Sequence, residues 1–122
     1  MIDVTMKRFE ELDSYRGQGV PEGRFQYAGK GLGVTAWGMN VLNLPPHWAD
    51  YPDHDHAKDG QEEVYVVLRG SATLNAGGES WELTPGTLAR VGAGQKRRIA
   101  PGSDGVTLLA IGGTPGKPYQ PR

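Results

Sequence analysis

Two histidines, His54 and His56, stand two residues apart in the stretch YPDHDHAKDGQEEVYVVLRGSATL, Tyr51 to Leu74, and Glu63 follows them. Imidazole nitrogen and carboxylate oxygen are the donor types that hold divalent transition ions. Alternate residues of an extended segment point the same way, so both imidazoles are able to face one interior. Glu63 shares its face with Tyr65 and Val67, whereas Glu62 points the opposite way with Val64 and Val66. If the two segments are neighbouring strands, His54, His56 and Glu63 converge on one point. A two-histidine, one-carboxylate set leaves coordination positions open for water, dioxygen or substrate, the openness that catalysis by a metal requires. His47 follows Pro45-Pro46 and is expected in a surface loop, outside this set.

The elements that must position these side chains read as short strands. Arg24 to Ala28 and Leu32 to Leu44 are the first two, and His47 to Asp53 is a loop leading into a histidine-bearing strand. Glu62 to Leu68 is the strongest, with apolar residues on both faces, the mark of a strand covered on both sides. Arg69-Gly70 is expected to turn into Ser71 to Asn75, and Ala76-Gly77-Gly78 to form a hairpin turn. Glu79 to Leu83, Thr87 to Val91, Lys96 to Ala100 and Val106 to Ile111 complete the series, separated by turns at Thr84-Pro85-Gly86, Gly92-Ala93-Gly94 and Pro101 to Gly105. Short strands at this spacing, with glycine or proline at nearly every joint, predict an all-β sandwich or barrel. Met6, Phe9 and Leu12 trace a weak helical stripe that ends at the glycines from Gly17 onward.

At 122 residues the chain is expected to form one domain. Nineteen glycines and nine prolines favour turns over long helices. A formal net charge of −1 argues against nucleic acid or an anionic membrane as partner. With no cysteine, thiolate ligands and disulfides are excluded. The start carries no apolar leader-like segment, and the longest apolar run, Val64 to Leu68, is far too short to span a bilayer. A cytoplasmic location is therefore expected. Neither a nucleophile-elbow serine nor a glycine-rich loop running into a helix is present, so serine hydrolase and phosphate-loop chemistry are not indicated.

His54-Asp55-His56, with Glu63 and then six residues to Gly70, resembles the first motif of the cupin superfamily, and the run QEEVYVVLRG from Gln61 to Gly70 carries the likeness most closely. Six residues separate His56 from Glu63 where the family has three or four, and Trp48 stands where its early glycine would be. The second motif keeps its spacing better than its residues. Gly86 and Gly94 fit, Gly92 replaces a proline, Pro101 replaces an asparagine, and Arg97 stands where a fourth metal ligand, a histidine, usually sits. The resemblance implies an all-β double-stranded β-helix, a jelly-roll barrel with a core over about residues 32–112, an N-terminal arm over 1–23 and a Pro-rich tail over 113–122. It further implies a divalent metal (Fe, Mn, Ni or Zn) on His54, His56 and Glu63, a small-molecule substrate and a homodimer. Dioxygenase, isomerase or lyase chemistry is implied by the likeness alone.

Arg97 shares the strand phase of Ile99, which places it inside beside Glu63, paired with that carboxylate or with a bound anion. A register shifted by one would instead leave Lys96, Arg97 and Arg98 in a solvated turn. In the enzyme reading Arg97 orients an anionic substrate and Tyr65 supplies a hydrogen bond. In the alternative, a metal-free ligand-binding or sensor cupin, Arg97 takes the place of the metal-ligand histidine and pairs with Glu63.

Overall fold

A computed structural model describes residues 1–17 and 19–120; Gln18, Pro121 and Arg122, the last two closing the expected tail, lie outside the described residues. In chain order the elements are β1 (Phe25–Gln26), α1 (Ala28–Leu32), β2 (Gly38–Leu44), β3 (Glu62–Ala76), β4 (Glu79–Leu83), β5 (Leu88–Val91) and β6 (Arg98–Gly113). All strand pairs are antiparallel, in the order β1-β2-β6-β3-β4, with β5 paired to the first half of β3. The result is an all-β jelly roll whose two long strands, β3 and β6, run side by side through both halves.

Two expected turns are corrected. Arg69-Gly70 and Pro101 to Gly105 do not end strands; each is an irregularity inside one long strand, with register shifts between Val67/Arg69 and Gly70/Ala72. The physical reason is that bulges and turns draw on the same residues. Gly70 at φ 76° and Gly105 at φ 70° bend β3 and β6 together, and a Cβ on Gly70 would overlap the carbonyl oxygen of Gly105. The hairpin at Gly77-Gly78 is found where expected, both glycines at positive φ.

The beginning of the chain also departs from expectation. Met6 to Leu12 yields only a 3-10 turn over Phe9–Glu11, and Leu32 to Trp37 is not strand. Instead Ala28–Leu32 forms one short helix closed by Gly33 at φ 79°. It packs on β2 so closely that a Cβ at Gly29 would lie 3.3 Å from the Met39 nitrogen. Nor do the histidines sit on a regular strand: His54 makes an isolated bridge with Arg97, and His56 leads into a turn.

Period-two alternation sorts the side chains. Leu42 and Leu44 of β2, Tyr65, Val67, Ala72 and Leu74 of β3, Leu83 of β4, Val91 of β5, and Ile99, Val106, Leu108 and Ala110 of β6 form one buried cluster with Tyr51. Each such side chain contributes about 1.5–3 kcal/mol by leaving water. The opposite face of the first half carries a second apolar row, Val41–Leu109–Val66–Leu88, in register across four strands. Val41 is fully buried at the end where α1 packs, whereas Leu88 is 71% exposed at the other. Among the described residues no helix is long and apolar enough to cross a membrane.

Candidate metal centre

Glu63 stands one residue inside β3, facing the interior because Glu62 faces out, where it binds Arg90 through Nε and Nη2 at 3.0 and 2.8 Å. His54 is positioned by backbone pairing with Arg97, His54 N to Arg97 O at 3.0 Å and Arg97 N to His54 O at 2.8 Å. His56 N donates to Ala93 O at 2.8 Å, which fastens the second histidine to the turn before β6. These contacts bring His54, His56 and Glu63 together, with donor atoms all within 4.8 Å of one another. Glu63 Oε1 lies 3.4 Å from His56 Nε2 and 3.9 Å from His54 Nε2.

The other ring nitrogens decide what those distances mean. His54 Nδ1 lies 3.1 Å from the Pro52 carbonyl, and His56 Nδ1 lies 3.2 Å from Asp59 Oδ2. A carbonyl or carboxylate oxygen only accepts, so each Nδ1 carries a proton, and a ring that holds no second proton turns its Nε2 lone pair toward Glu63. Lone pairs facing a carboxylate oxygen repel unless a proton or a cation stands between them. Such a set, with its outer nitrogens anchored, fits a divalent transition ion.

Asp59 was not among the residues expected at the site. The six residues between His56 and Glu63 supply it: Asp55 Oδ1 accepts from Ala57 N at 3.0 Å, Gly60 N donates to His56 O at 2.8 Å, and Gly60 sits at φ 72°. This turn carries the Asp59 carboxylate back to His56, and Thr114 Oγ1 ties its backbone down at 2.8 Å. The signal lay in an Asp-rich, glycine-closed loop, which is turn chemistry.

Behind the histidines the barrel is filled. Arg97 points inward, as the phase of Ile99 requires, and is wholly buried; its Nη2 lies 3.6 Å from Glu63 Oε1. That is an ion pair without a hydrogen bond. Nη1 donates to Gln95 O at 3.0 Å, while Nε and Nη2 have no hydrogen-bond partner among the described residues. Tyr65 donates to Glu63 Oε1 at 2.7 Å, and the Tyr51 hydroxyl lies 3.5 Å from that of Tyr65. Burial raises the Tyr51 phenol to about 12, and burial also pushes Tyr65 well above the usual range, with Tyr51 and Glu63 adding to it. Both phenols are therefore neutral, and Tyr65 is a hydrogen-bond donor. Tyr51, expected in a loop, is a buried neighbour of the site; His47 is exposed and takes no part.

Approach to the cluster is from the loop side, through a hollow of about 380 Å³ lined by His54, Asp55, His56, Lys58 and Asp59. Tyr51, Tyr65 and Arg97 fill the interior behind the cluster.

The family model for the cupin domain, Cupin_2, matches residues 40–112. No curated protein matches the chain in sequence. Among solved structures, a cupin protein from Bacteroides fragilis is 24% identical with a TM-score of 0.67, the match covering 91% of this chain and 93% of that one. A sugar phosphate isomerase of the cupin superfamily from Silicibacter pomeroyi is 21% identical with a TM-score of 0.71, covering 86% and 73%. The Cupin_2 domain of an XRE family transcriptional regulator from Enterobacter cloacae is 18% identical with a TM-score of 0.57, covering 74% and 87%.

Proposed function

The chain belongs to the cupin family, and from that premise we propose that it is a metal-dependent cupin acting on a small anionic organic molecule. The observation that carries this reading is the anchoring of both Nδ1 atoms, on Pro52 O and Asp59 Oδ2, which leaves the two Nε2 atoms and Glu63 Oε1 facing one point. His54, His56 and Glu63 would hold Fe²⁺, Mn²⁺, Ni²⁺ or Zn²⁺, whose Lewis acidity polarises a substrate oxygen. Arg97, with two nitrogens lacking hydrogen-bond acceptors among the described residues, is the group that orients a carboxylate or phosphate of the substrate. Tyr65 supplies a neutral donor and steadies Glu63. The likeness to the Silicibacter isomerase is one of fold, so the anionic substrate class rests on Arg97.

Elemental analysis of protein grown with supplemented metals tests the reading. Close to one equivalent of a transition metal is expected, lost on His54→Ala and on Glu63→Gln. Parent protein without metal overturns it.

A second reading is favoured by one specific contact, the approach of Arg97 Nη2 to Glu63 Oε1. In it Arg97 supplies the positive charge, the site holds no metal, and the chain is a ligand-binding or sensor domain; the regulator-borne cupin from Enterobacter cloacae shares the fold. Metal-free parent protein that binds a small carboxylate through Arg97 is its signature.

We further propose a homodimer formed across the outer row Val66, Leu109 and Leu88. Leu88 is exposed at the end of this row and Val66 and Leu109 are half-buried, an apolar edge that association would cover. Leu88→Lys is expected to convert a dimer to monomer in light scattering, and a monomeric parent refutes this.

A further inference from the structure

At the corner where β3 and β6 bend lies a second hollow, of about 550 Å³, lined by Arg24, Asn43, Arg69, Asp104 and Thr107 among others. It is separate from the metal centre, since Arg69 stands six residues beyond Glu63 on β3, about 20 Å along the strand. Asn43, Thr107 and Arg69 form one row across β2, β6 and β3. Their contacts are internal and orient the row. Asn43 Nδ2 donates to Gln26 Oε1 at 2.7 Å and to Gly23 O at 3.0 Å. Thr107 Oγ1 donates to Asn43 Oδ1 at 3.4 Å, and Arg69 Nε donates to Thr107 Oγ1 at 3.1 Å. Arg69 is thus aimed by its Nε with its Nη fork left over. Arg24 lies with its guanidinium carbon 5.8 Å from the centre of the Trp48 ring, and its Nε is buried without a hydrogen-bond partner among the described residues. Neither arginine forms an ion pair among the described residues, although Asp104 lines the same hollow.

We propose that this hollow is an anion site for a phosphate group, free or esterified, held between Arg24 and Arg69. Two arginines and a single carboxylate, Asp104, line this concavity, so one positive unit of its lining is uncompensated. Each fork matches a pair of oxygens on a single anion. A carboxylate presents one such pair and suits one arginine; a phosphate presents three or more acceptor oxygens and suits two. A protonated oxygen of the phosphate, or a hydroxyl of its ester, is able to donate to Asp104, which lines the same hollow. The site is independent of the metal reading, and its failure leaves that reading untouched.

The test is titration of the full chain with inorganic phosphate and with glycerol phosphate in chloride buffer, followed by amide proton–nitrogen correlation spectra. Saturable shifts are expected at Gly70, Gly105 and Thr107, absent with acetate, and weakened about tenfold by Arg24→Gln or Arg69→Gln, as loss of a charge-assisted pair requires. Arg97→Met leaves them in place. Tighter binding of glycerol phosphate assigns the site to an ester, and equal binding assigns it to free phosphate. Shifts that do not saturate, that acetate reproduces, that survive both arginine changes, or that centre on His54 and Arg97 overturn the proposal.

Discussion

Replacing Arg97 with methionine gives two effects of opposite sign, and their combination tests the proposed site. The guanidinium is wholly buried and its Nη2 lies 3.6 Å from Glu63 Oε1. At that separation the attraction is about 1 kcal/mol at the dielectric of water and about 5 kcal/mol at the effective value of a protein site. Removing one member of a buried pair costs about 3–5 kcal/mol, because the other charge is left without compensation. Glu63 keeps the Tyr65 hydrogen bond at 2.7 Å, so the lower end, about 3 kcal/mol, is expected from urea unfolding of metal-free protein. The same change frees Glu63 for a metal ion. With at least about 1 kcal/mol no longer holding the carboxylate, Mn²⁺ affinity by isothermal titration rises about fivefold or more. Saturating Mn²⁺ then restores most of the lost stability, about 2.7 kcal/mol at a concentration a hundred times the dissociation constant. An Arg97→Met protein as stable as its parent, or one that binds Mn²⁺ no better, refutes the reasoning.

Three further predictions follow from other parts of the structure. Asp59→Ala removes the acceptor that fixes the His56 ring and is expected to weaken metal binding about 10–100-fold with little loss of fold, read by metal titration beside circular dichroism. Burial raises Tyr51 from 10.0 to about 12, so the stability supplied by its neutral form is whole below pH 10 and is lost as the pH rises toward 12. Phenolate absorbance is expected to show Tyr51 and Tyr65 ionising only as tertiary structure melts; all five tyrosines titrating together in folded protein contradicts this. Gly70→Ala places a Cβ at φ 76° against the Gly105 carbonyl, and thermal unfolding is expected to show a loss exceeding the roughly 1–2 kcal/mol of a left-handed residue alone.

The carboxylate of the candidate cluster was legible because two-residue periodicity is strict, whereas the two histidines lie off any regular strand and are brought to it by the His54–Arg97 bridge and the turn at Ala93. Once Val64 and Val66 take one face, Glu63 and Tyr65 must take the other, and the Glu62–Arg90 pair on the outside is the same statement. Arg97 was legible for the same reason, through Ile99. Long β3 and β6 were not, because glycine and proline announce a bulge and a turn with equal force, and only pairing partners distinguish them. The short α1 was hidden by a glycine-rich sequence of poor helix propensity, held by packing on β2. Asp59 and Tyr51 were missed because both lie in loops, where side-chain direction has no period to follow.

Two of the places where the sequence departs from the cupin pattern act on the same quantity, the charge of the site. The longer loop brings Asp59 to His56, and the replaced histidine brings Arg97 to Glu63. Without a metal, two carboxylates and one guanidinium leave one negative unit. A divalent ion turns that into one positive unit, whereas a histidine at position 97 would have left a neutral site. The arginine makes a loaded site one charge more positive than a histidine there would, and Asp59 takes one unit away, so the two departures cancel in net charge. What changes is its placement, with Nε and Nη2 of Arg97 lacking hydrogen-bond partners among the described residues. An anion is then bound in proportion to metal occupancy: affinity for a small carboxylate should rise when the ion is present and fall when it is removed, the reciprocity that linkage demands.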